Sequence, residues 1–281
     1  MKASKSNKIA LIKSPLRYPG GKSRAVKRIL AVIPDSFKEY REPMVGGGGV
    51  FLALKQKFPD REFSINDINT ELYLFWEYCK ENGAELIQEI NKIKKRYSEG
   101  KDLYSFLTKE DKNRSDFQRA VRFFILNRIT FSGLIESGGY SDESFRKRFT
   151  NSSIFRLSRI LGLLKNVSIT NDDYEKMIRK KGKDVFIFLD PPYYSSRESK
   201  LYGKNGNLHK AFDHERFASL MKKCQHKWLI TYDDAPEIRK LFNFAHVHPW
   251  KLQYGMNNYK QKFAAKGKEL FISNYELEIN E

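Results

Sequence analysis

Asp190-Pro191-Pro192-Tyr193 combines a carboxylate, a stiff backbone and a flat ring, directly after the apolar run Asp184-Val-Phe-Ile-Phe-Leu189. Two consecutive prolines stiffen the turn and leave no N–H between them to satisfy. The Asp190 carboxylate and the Pro191 carbonyl can each accept one N–H of a planar exocyclic amine. That localises the nitrogen lone pair and aims it at an electrophile. Tyr193 can stack on the ring that bears the amine. The apolar run reads as a central buried strand, and open α/β sheets hold ligands beyond the carboxyl ends of their strands. Asp190, Pro191 and Tyr193 are therefore the candidate catalytic residues.

A second constellation is Gly46-Gly47-Gly48-Gly49, between the extended run from Glu39 to Val45 and the helical segment from Val50 to Leu54. Residues without a Cβ allow a ligand to approach the backbone closely. Asp67 lies about 20 residues on, at the end of a short strand, where a carboxylate can bind ribose hydroxyls. A dinucleotide fingerprint would need glycine at position 51, which is Phe51, so a nucleoside-type ligand without phosphates fits better. A third segment, Leu16-Arg17-Tyr18-Pro19-Gly20-Gly21-Lys22-Ser23, ends like a phosphate-binding loop. That motif needs glycine where Leu16 stands, and no apolar strand leads into it, so a nucleotide triphosphatase is excluded. Tyr18 and Lys22 remain as an aromatic wall and a cation for a ligand carboxylate.

The elements that must position these residues alternate. Strands are predicted at 39–45, 62–65, 167–170, 184–189, 228–232 and 269–274, with helical pieces at 214–223 and 236–242 between the later ones. That alternation predicts an α/β fold with a doubly wound, mostly parallel sheet. Residues 76–164 differ: apolar positions such as Leu86, Ile87, Ile90 and Ile93, and Phe117, Val121, Phe124 and Ile125, recur at helical spacing. This reads as a mostly helical insertion into a core formed by 1–75 and 165–281. It also carries a glycine-punctuated loop or hairpin, 133–140.

The chain has 281 residues, with 21 Phe, 15 Tyr and 3 Trp, and a formal net charge of +18 from 52 basic against 34 acidic residues. Such an excess creates a field suited to a polyanion. The basic run Arg146, Lys147, Arg148, Arg156 and Arg159, and the later Lys260, Lys262, Lys266 and Lys268, are candidate phosphate contacts. No apolar run spans a membrane and the N-terminus lacks a signal peptide's apolar stretch. The two cysteines, Cys79 and Cys224, are far apart and form neither a disulfide framework nor a zinc cluster, so a reducing, cytoplasmic setting is expected.

Together the ordered segments carry a resemblance. Pro-Gly-Gly-Lys, Glu42-Pro43-Met44-Val45-Gly46-Gly47-Gly48-Gly49-Val50-Phe51, Asn66-Asp67-Ile68-Asn69, Leu126-Asn127-Arg128, Asp190-Pro-Pro-Tyr, Ile230-Thr-Tyr-Asp-Asp and Lys268-Glu269-Leu270 occur in this order. From about 14 to 275 the chain resembles the Dam-like, alpha-group DNA N6-adenine methyltransferases. The resemblance implies a Rossmann-like core that uses S-adenosyl-L-methionine and needs no metal. Tyr18, Lys22, Gly46, Gly48, Asp67, Asp173, Tyr174 and Asp190 fall on its cofactor positions: the glycine turn beside the methionine part, Asp67 on the ribose, and Asp173-Tyr174 on the adenine. The insertion corresponds to a target recognition domain for double-stranded DNA. Arg128, Phe131, Ser132, Gly133, Glu136 and Tyr140, with Arg148 from the basic run, are the residues expected at the DNA, and Phe131 matches an aromatic that wedges into the base stack.

Two departures bear on specificity. Met44 stands where the family usually has Phe, which implies a changed fit beside the cofactor. Glu136 falls near a guanine-reading arginine of the GATC branch, and glutamate suits cytosine N4 instead. The resemblance implies that the target adenine flips out of the duplex. It leaves open a cognate restriction endonuclease acting separately, and a monomer is expected. Methylation of cytosine N4 or of RNA adenine, and a DNA-binding protein with an inactive core, stand as alternatives. Asp190 favours adenine over cytosine, whose enzymes often carry serine there.

Overall fold

All five side chains of the strand Val185–Leu189 are buried, and they alternate between two different cores. Phe186 and Phe188 enter one apolar cluster, while Val185, Ile187 and Leu189 enter another. Successive side chains of a strand point to opposite faces, so an apolar residue at every position means that the strand is covered on both sides. The computed structural model describes residues 11–18, 20–135, 138–196, 212–253 and 266–278.

Among the described residues, seven strands form one sheet: β1 (Glu39–Glu42), β2 (Glu62–Asn66), β3 (Val167–Thr170), β4 (Val185–Leu189), β5 (Lys227–Asp233), β6 (His246–Gln253) and β7 (Lys266–Ser273). Their order is β3-β2-β1-β4-β5-β7-β6. The first five are mutually parallel, and β7 runs antiparallel to both β5 and β6. The doubly wound, mostly parallel α/β sheet expected from the sequence is thus present. The sequence reading missed β6. Its residues, His-Val-His-Pro-Trp-Lys-Leu-Gln, carry a proline and no clean alternation, and Pro249 is tolerated because β6 pairs on one side only.

Helices α1 (Val26–Val32) and α2 (Gly49–Lys57) contribute Ile29, Phe51 and Leu54 to the first cluster. The helical stretch comprises α3 (Thr70–Glu81), α4 (Gly83–Arg96), α5 (Gly100–Thr108), α6 (Asp116–Ile129), α7 (Asp142–Arg148) and α8 (Asn151–Leu164). The boundary expected at 75/76 falls inside α3, whose start is fixed instead by Asn69, accepting from the Glu71 and Leu72 amides at 3.0 and 3.2 Å. Leu86, Ile90, Phe124 and Leu157 of these helices share one continuous cluster with Tyr40, Phe63 and Phe186 of the sheet. Helices α9 (Tyr174–Arg179), α10 (His214–Lys223) and α11 (Pro236–Leu241) cover the opposite face through Ile178, Phe217 and Ile238. Among the described residues, no helix is long and apolar enough to cross a membrane.

Candidate active site

The strand order reverses between β1 and β4, which are hydrogen-bonded neighbours. At such a switch point successive connections leave the sheet toward opposite faces and open a crevice. β1 delivers the glycine run into that crevice, and β4 delivers Asp190-Pro191-Pro192-Tyr193. Both line one cavity of about 540 Å³, together with Tyr18, Lys22, Met44, Asp67, Asp173 and Tyr174. All the catalytic and cofactor residues expected from the sequence therefore line one cavity at the carboxyl ends of the parallel strands.

The glycine turn is required by its surroundings. Gly46 and Gly48 have φ of 48° and 65°, in the left-handed region. A Cβ at Gly46 would lie 2.9 Å from the Tyr18 ring, and one at Gly48 would lie 2.8 Å from the Trp76 ring. Asp67 Oδ2 accepts from the Gly46 amide at 3.0 Å, and its Oδ1 accepts from the Asn69 amide at 3.0 Å. Burial pushes the Asp67 carboxyl up to about 6, against the pull of these two amides. Asn66, beside it, donates to the Pro43 and Asp172 carbonyls, both at 2.9 Å, and so ties the ends of β1, β2 and β3 together. At the end of β3, Asp173 caps α9 by accepting from the Glu175 amide at 2.8 Å. The Tyr174 ring packs edge-on against Phe217, with its centroid 5.6 Å away.

Asp190 is held from two directions. Lys22 Nζ lies 2.7 Å from its Oδ1 and 2.8 Å from its Oδ2, and the Thr231 hydroxyl donates to Oδ1 at 2.8 Å. The carboxylate has about four acceptor sites, so these partners leave capacity for a further N–H. Its side chain is 21% exposed, toward the cavity. Lys22 is itself buried, donates to the Gly20 carbonyl at 3.0 Å, and lies 4.8 Å from the centroid of the Tyr193 ring. Lys22, expected as a cation for a ligand carboxylate, lines the cavity and is the counter-ion of Asp190.

Three acids of the site were not singled out from the sequence. Glu42 is buried, and Tyr40 donates to it at 2.5 Å. Burial pushes the Glu42 carboxyl up to about 8; the Tyr40 hydrogen bond opposes the rise and Asp190 adds to it. Glu269 on β7 accepts from the Tyr193 hydroxyl, and burial raises it to about 7. Asp233, at the end of β5, accepts from the Tyr194 and Ser195 amides at 2.9 and 2.8 Å. The available signal was an acid inside an apolar strand, Lys-Gly-Lys-Glu-Leu-Phe-Ile-Ser, since a buried charge is the informative exception in a core.

The residues expected at DNA divide into two groups. Phe131 is 62% exposed. It opens a short 3₁₀ turn in which Ser132 takes φ of 54°, a left-handed conformation that costs a non-glycine residue on the order of 1 kcal/mol or more. Gly133 follows at φ of 77°, where a Cβ would lie 2.4 Å from the Arg17 carbonyl. The loop closes through a bridge between Thr130 and Tyr140, with Phe131 donating to the Gly139 carbonyl at 3.1 Å, which is the hairpin character expected for 133–140. Arg148 is exposed at the end of α7, whereas Arg146 and Lys147 pair within the helix with Asp142 and Glu143. Tyr140 is half-buried and donates to Asp142 at 3.1 Å.

Arg128 belongs to the second group and corrects an expectation. It is only 4% exposed, and its guanidinium donates to the Arg148 carbonyl at 2.7 and 2.9 Å and to the Pro15 carbonyl at 3.2 Å. It is spent on joining the N-terminal segment to the end of α7. Burial, with Arg156, Arg17 and Arg148 nearby, lowers it to about 9. Asn127, one residue earlier, makes a reciprocal pair with the Arg17 backbone, accepting at 2.9 Å and donating at 2.8 Å. Glu136 and Ser137, and the lysines at 260 and 262, lie outside the described residues; Lys268 is exposed.

Known proteins share this chain's pattern. A type II methyltransferase from Methanocaldococcus jannaschii, M.MjaIII, is 30% identical over 201 residues, covering 65% of this chain and 69% of that protein. The type II methyltransferase M1.LlaDCHI from Lactococcus lactis subsp. cremoris is 25% identical over 278 residues, covering 92% and 94%. A DNA adenine methylase from Haemophilus influenzae is 26% identical over 265 residues, covering 91% of each chain. The family model for D12 class N6 adenine-specific DNA methyltransferases matches residues 18–256, which include the glycine turn, Asp67 and Asp190 through Tyr193. The chain belongs to the D12 class N6 adenine-specific DNA methyltransferase family.

Proposed function

We propose that this enzyme methylates a flipped-out adenine in duplex DNA, with S-adenosyl-L-methionine held in the cavity at the β1–β4 switch point. The supporting observation is that the ends of four neighbouring strands supply one cavity with complementary groups. The glycine turn follows β1, Asp67 follows β2, Asp173 and Tyr174 follow β3, and Asp190 follows β4. A volume of about 540 Å³ falls in the range of small-molecule sites, and a lining of acids, aromatic rings and close-approach glycines fits a nucleoside sulfonium. Bound there, S-adenosyl-L-methionine supplies an electrophilic methyl group.

The chain's own residues then prepare the amine. Asp190 and the Pro191 carbonyl accept the two N–H groups of the adenine N6 and orient its lone pair. Lys22 and Thr231 hold the Asp190 carboxylate still, so it stabilises the charge that develops on nitrogen without moving. Tyr193 stacks on the base. Asp190 does not remove a proton in advance, because the neutral amine is far too weak an acid. Phe131, exposed on its strained turn, fills the gap left by the base. Residues 76–164 act as the recognition segment, with Arg148 among the phosphate contacts. The enzyme acts as a cytoplasmic monomer. M.MjaIII and M1.LlaDCHI are named type II methyltransferases, and a separately acting restriction endonuclease is the proposed partner here.

The test is expression in a host free of DNA methylation, followed by sequencing of its genome for modified bases. A single motif carrying N6-methyladenine is expected, absent with Asp190→Ala. Modified cytosine, or an unmodified genome from a folded enzyme, overturns the reading.

A further inference from the structure

We propose that Glu269 and Asp233 form a carboxylate clamp that fixes Tyr193 and the turn after it, with Glu269 the positioning residue for the base-stacking ring. The inference rests on the reading above, in which Tyr193 stacks on the target adenine.

Glu269 and Asp233 are register partners on β7 and β5. Glu269, 1% exposed, accepts from the Tyr193 hydroxyl. Asp233 takes the next two backbone amides, Tyr194 and Ser195, one on each oxygen, at 2.9 and 2.8 Å. Two neighbouring acids thus hold three successive residues directly after two prolines. The prolines themselves offer no N–H, so no backbone donor ties the turn down at positions 191 and 192. Its anchorage begins at Tyr193.

The ring packs at the margin of the second apolar cluster, only partly buried. Lys22 lies 4.8 Å from its centroid, and Tyr232 lies 6.1 Å away at an interplanar angle of 31°. The ring lines the open cavity, where stacking requires a free face. Its hydroxyl is the handle that sets its tilt. Like charges opposite one another across strands destabilise a sheet, and a buried carboxylate costs free energy that an apolar residue would not. Burial, Asp190 and Asp233 all push the Glu269 carboxyl up, while Lys22 and the Tyr193 hydrogen bond draw it back. An arrangement that costs stability and converges on one functional ring is explained by orientation.

The experiment is a double-mutant cycle on the full chain: wild type, Tyr193→Phe, Glu269→Ala, the double variant, and Glu269→Gln. kcat and KM are measured on a duplex carrying the motif mapped above, and flipping is followed by the fluorescence of 2-aminopurine at the target position. Tyr193→Phe and Glu269→Ala are each expected to lower kcat by about tenfold or more, with little change in KM for DNA. The double variant should be no worse than the poorer single one, because both remove the same bond. Glu269→Gln, which still accepts from the hydroxyl, should recover most of the rate. Multiplicative losses in the double variant overturn the clamp and leave the parent reading intact. If Glu269→Ala does not fold, Tyr193→Phe decides the matter alone, and an unchanged kcat overturns the clamp. A wild-type enzyme that transfers no methyl to DNA overturns the parent reading and the clamp together.

Discussion

Lys22 places its ammonium 2.7 Å from Asp190 Oδ1, although 168 positions separate the two residues in the chain. The pair closes the cavity floor between the N-terminal segment and the end of β4. The two side chains are 3% and 21% exposed, so the charge of either would be poorly solvated alone. Lys22→Met is therefore expected to destabilise the fold by about 3 kcal/mol, the lower end for breaking a partly buried pair. Methyl transfer should fall by about a hundredfold as Asp190 loses its fixed position. Urea denaturation and single-turnover rates check both, and an unchanged stability would rule out the pairing.

Asp67 faces two tasks, holding the Gly46 amide and facing the cavity. Asp67→Ala is expected to raise the Kd for S-adenosyl-L-methionine by about tenfold to a hundredfold, the range for losing hydrogen bonds to a charged group. Affinity for DNA should stay close to wild type. Equilibrium dialysis and a gel-shift titration separate the two, and an unaltered cofactor Kd would remove Asp67 from the ribose.

Phe131 protrudes from a turn that its neighbours strain, so its removal should cost the fold little. Flipping a base costs a few kcal/mol, part of which a filled stack recovers. Phe131→Ala is expected to lower the 2-aminopurine signal and to reduce kcat by about tenfold while leaving the melting temperature unchanged. A normal flipping signal would assign Phe131 to something other than the gap.

Much of this arrangement is legible in the amino-acid sequence itself. The strand ending at Leu189 and the turn ending at Gly49 announce themselves through local composition, and the parallel alternation brings them together. Position 128 was expected at DNA because Leu126-Asn127-Arg128 and the residues after it resemble a loop that enters DNA. Only the fold reveals that carbonyls of Pro15 and Arg148 surround it. Thr231 and Glu269 stood within segments that carry the resemblance, yet their partners were not legible. Their partners lie 41 and 76 positions away, and no local pattern encodes such a contact. The edge strand β6 was hidden by Pro249 and its mixed polarity.

Arg128 and Arg148 should therefore behave oppositely. Arg128→Ala leaves the Pro15 and Arg148 carbonyls without their guanidinium donor and is expected to cost about 1–3 kcal/mol of stability, with DNA affinity per folded molecule unchanged. Arg148→Ala should leave stability alone and lower by about one the slope of log affinity against log salt. Denaturation curves and salt-dependent binding read these out. A selective loss of DNA affinity in Arg128→Ala would restore it to the interface.

Glu42 gives the fold a pH dependence of definite sign. Its carboxyl is raised from an ordinary 4.5 to about 8, mainly by burial. Between those values the folded chain keeps a proton that the unfolded chain releases, so raising the pH favours unfolding. The stability tied to this proton is complete below about 4.5 and is lost progressively up to about 8. Glu42→Gln, which still accepts from Tyr40, should flatten the fall in melting temperature across this window. A curve as steep as wild type would assign the slope elsewhere.

The shared apolar cluster of sheet and helices limits how this enzyme can be retargeted. A recognition segment with a core of its own could be exchanged whole between relatives. Here, transplanting 76–164 would strip Leu86, Phe124 and Leu157 from the cluster that also holds Tyr40 and Phe186. The natural unit of exchange is smaller. The Thr130–Tyr140 bridge fixes the ends of a shorter loop, and on the reading proposed above, in which this loop meets DNA, altered specificity is expected from changes there rather than from exchange of 76–164.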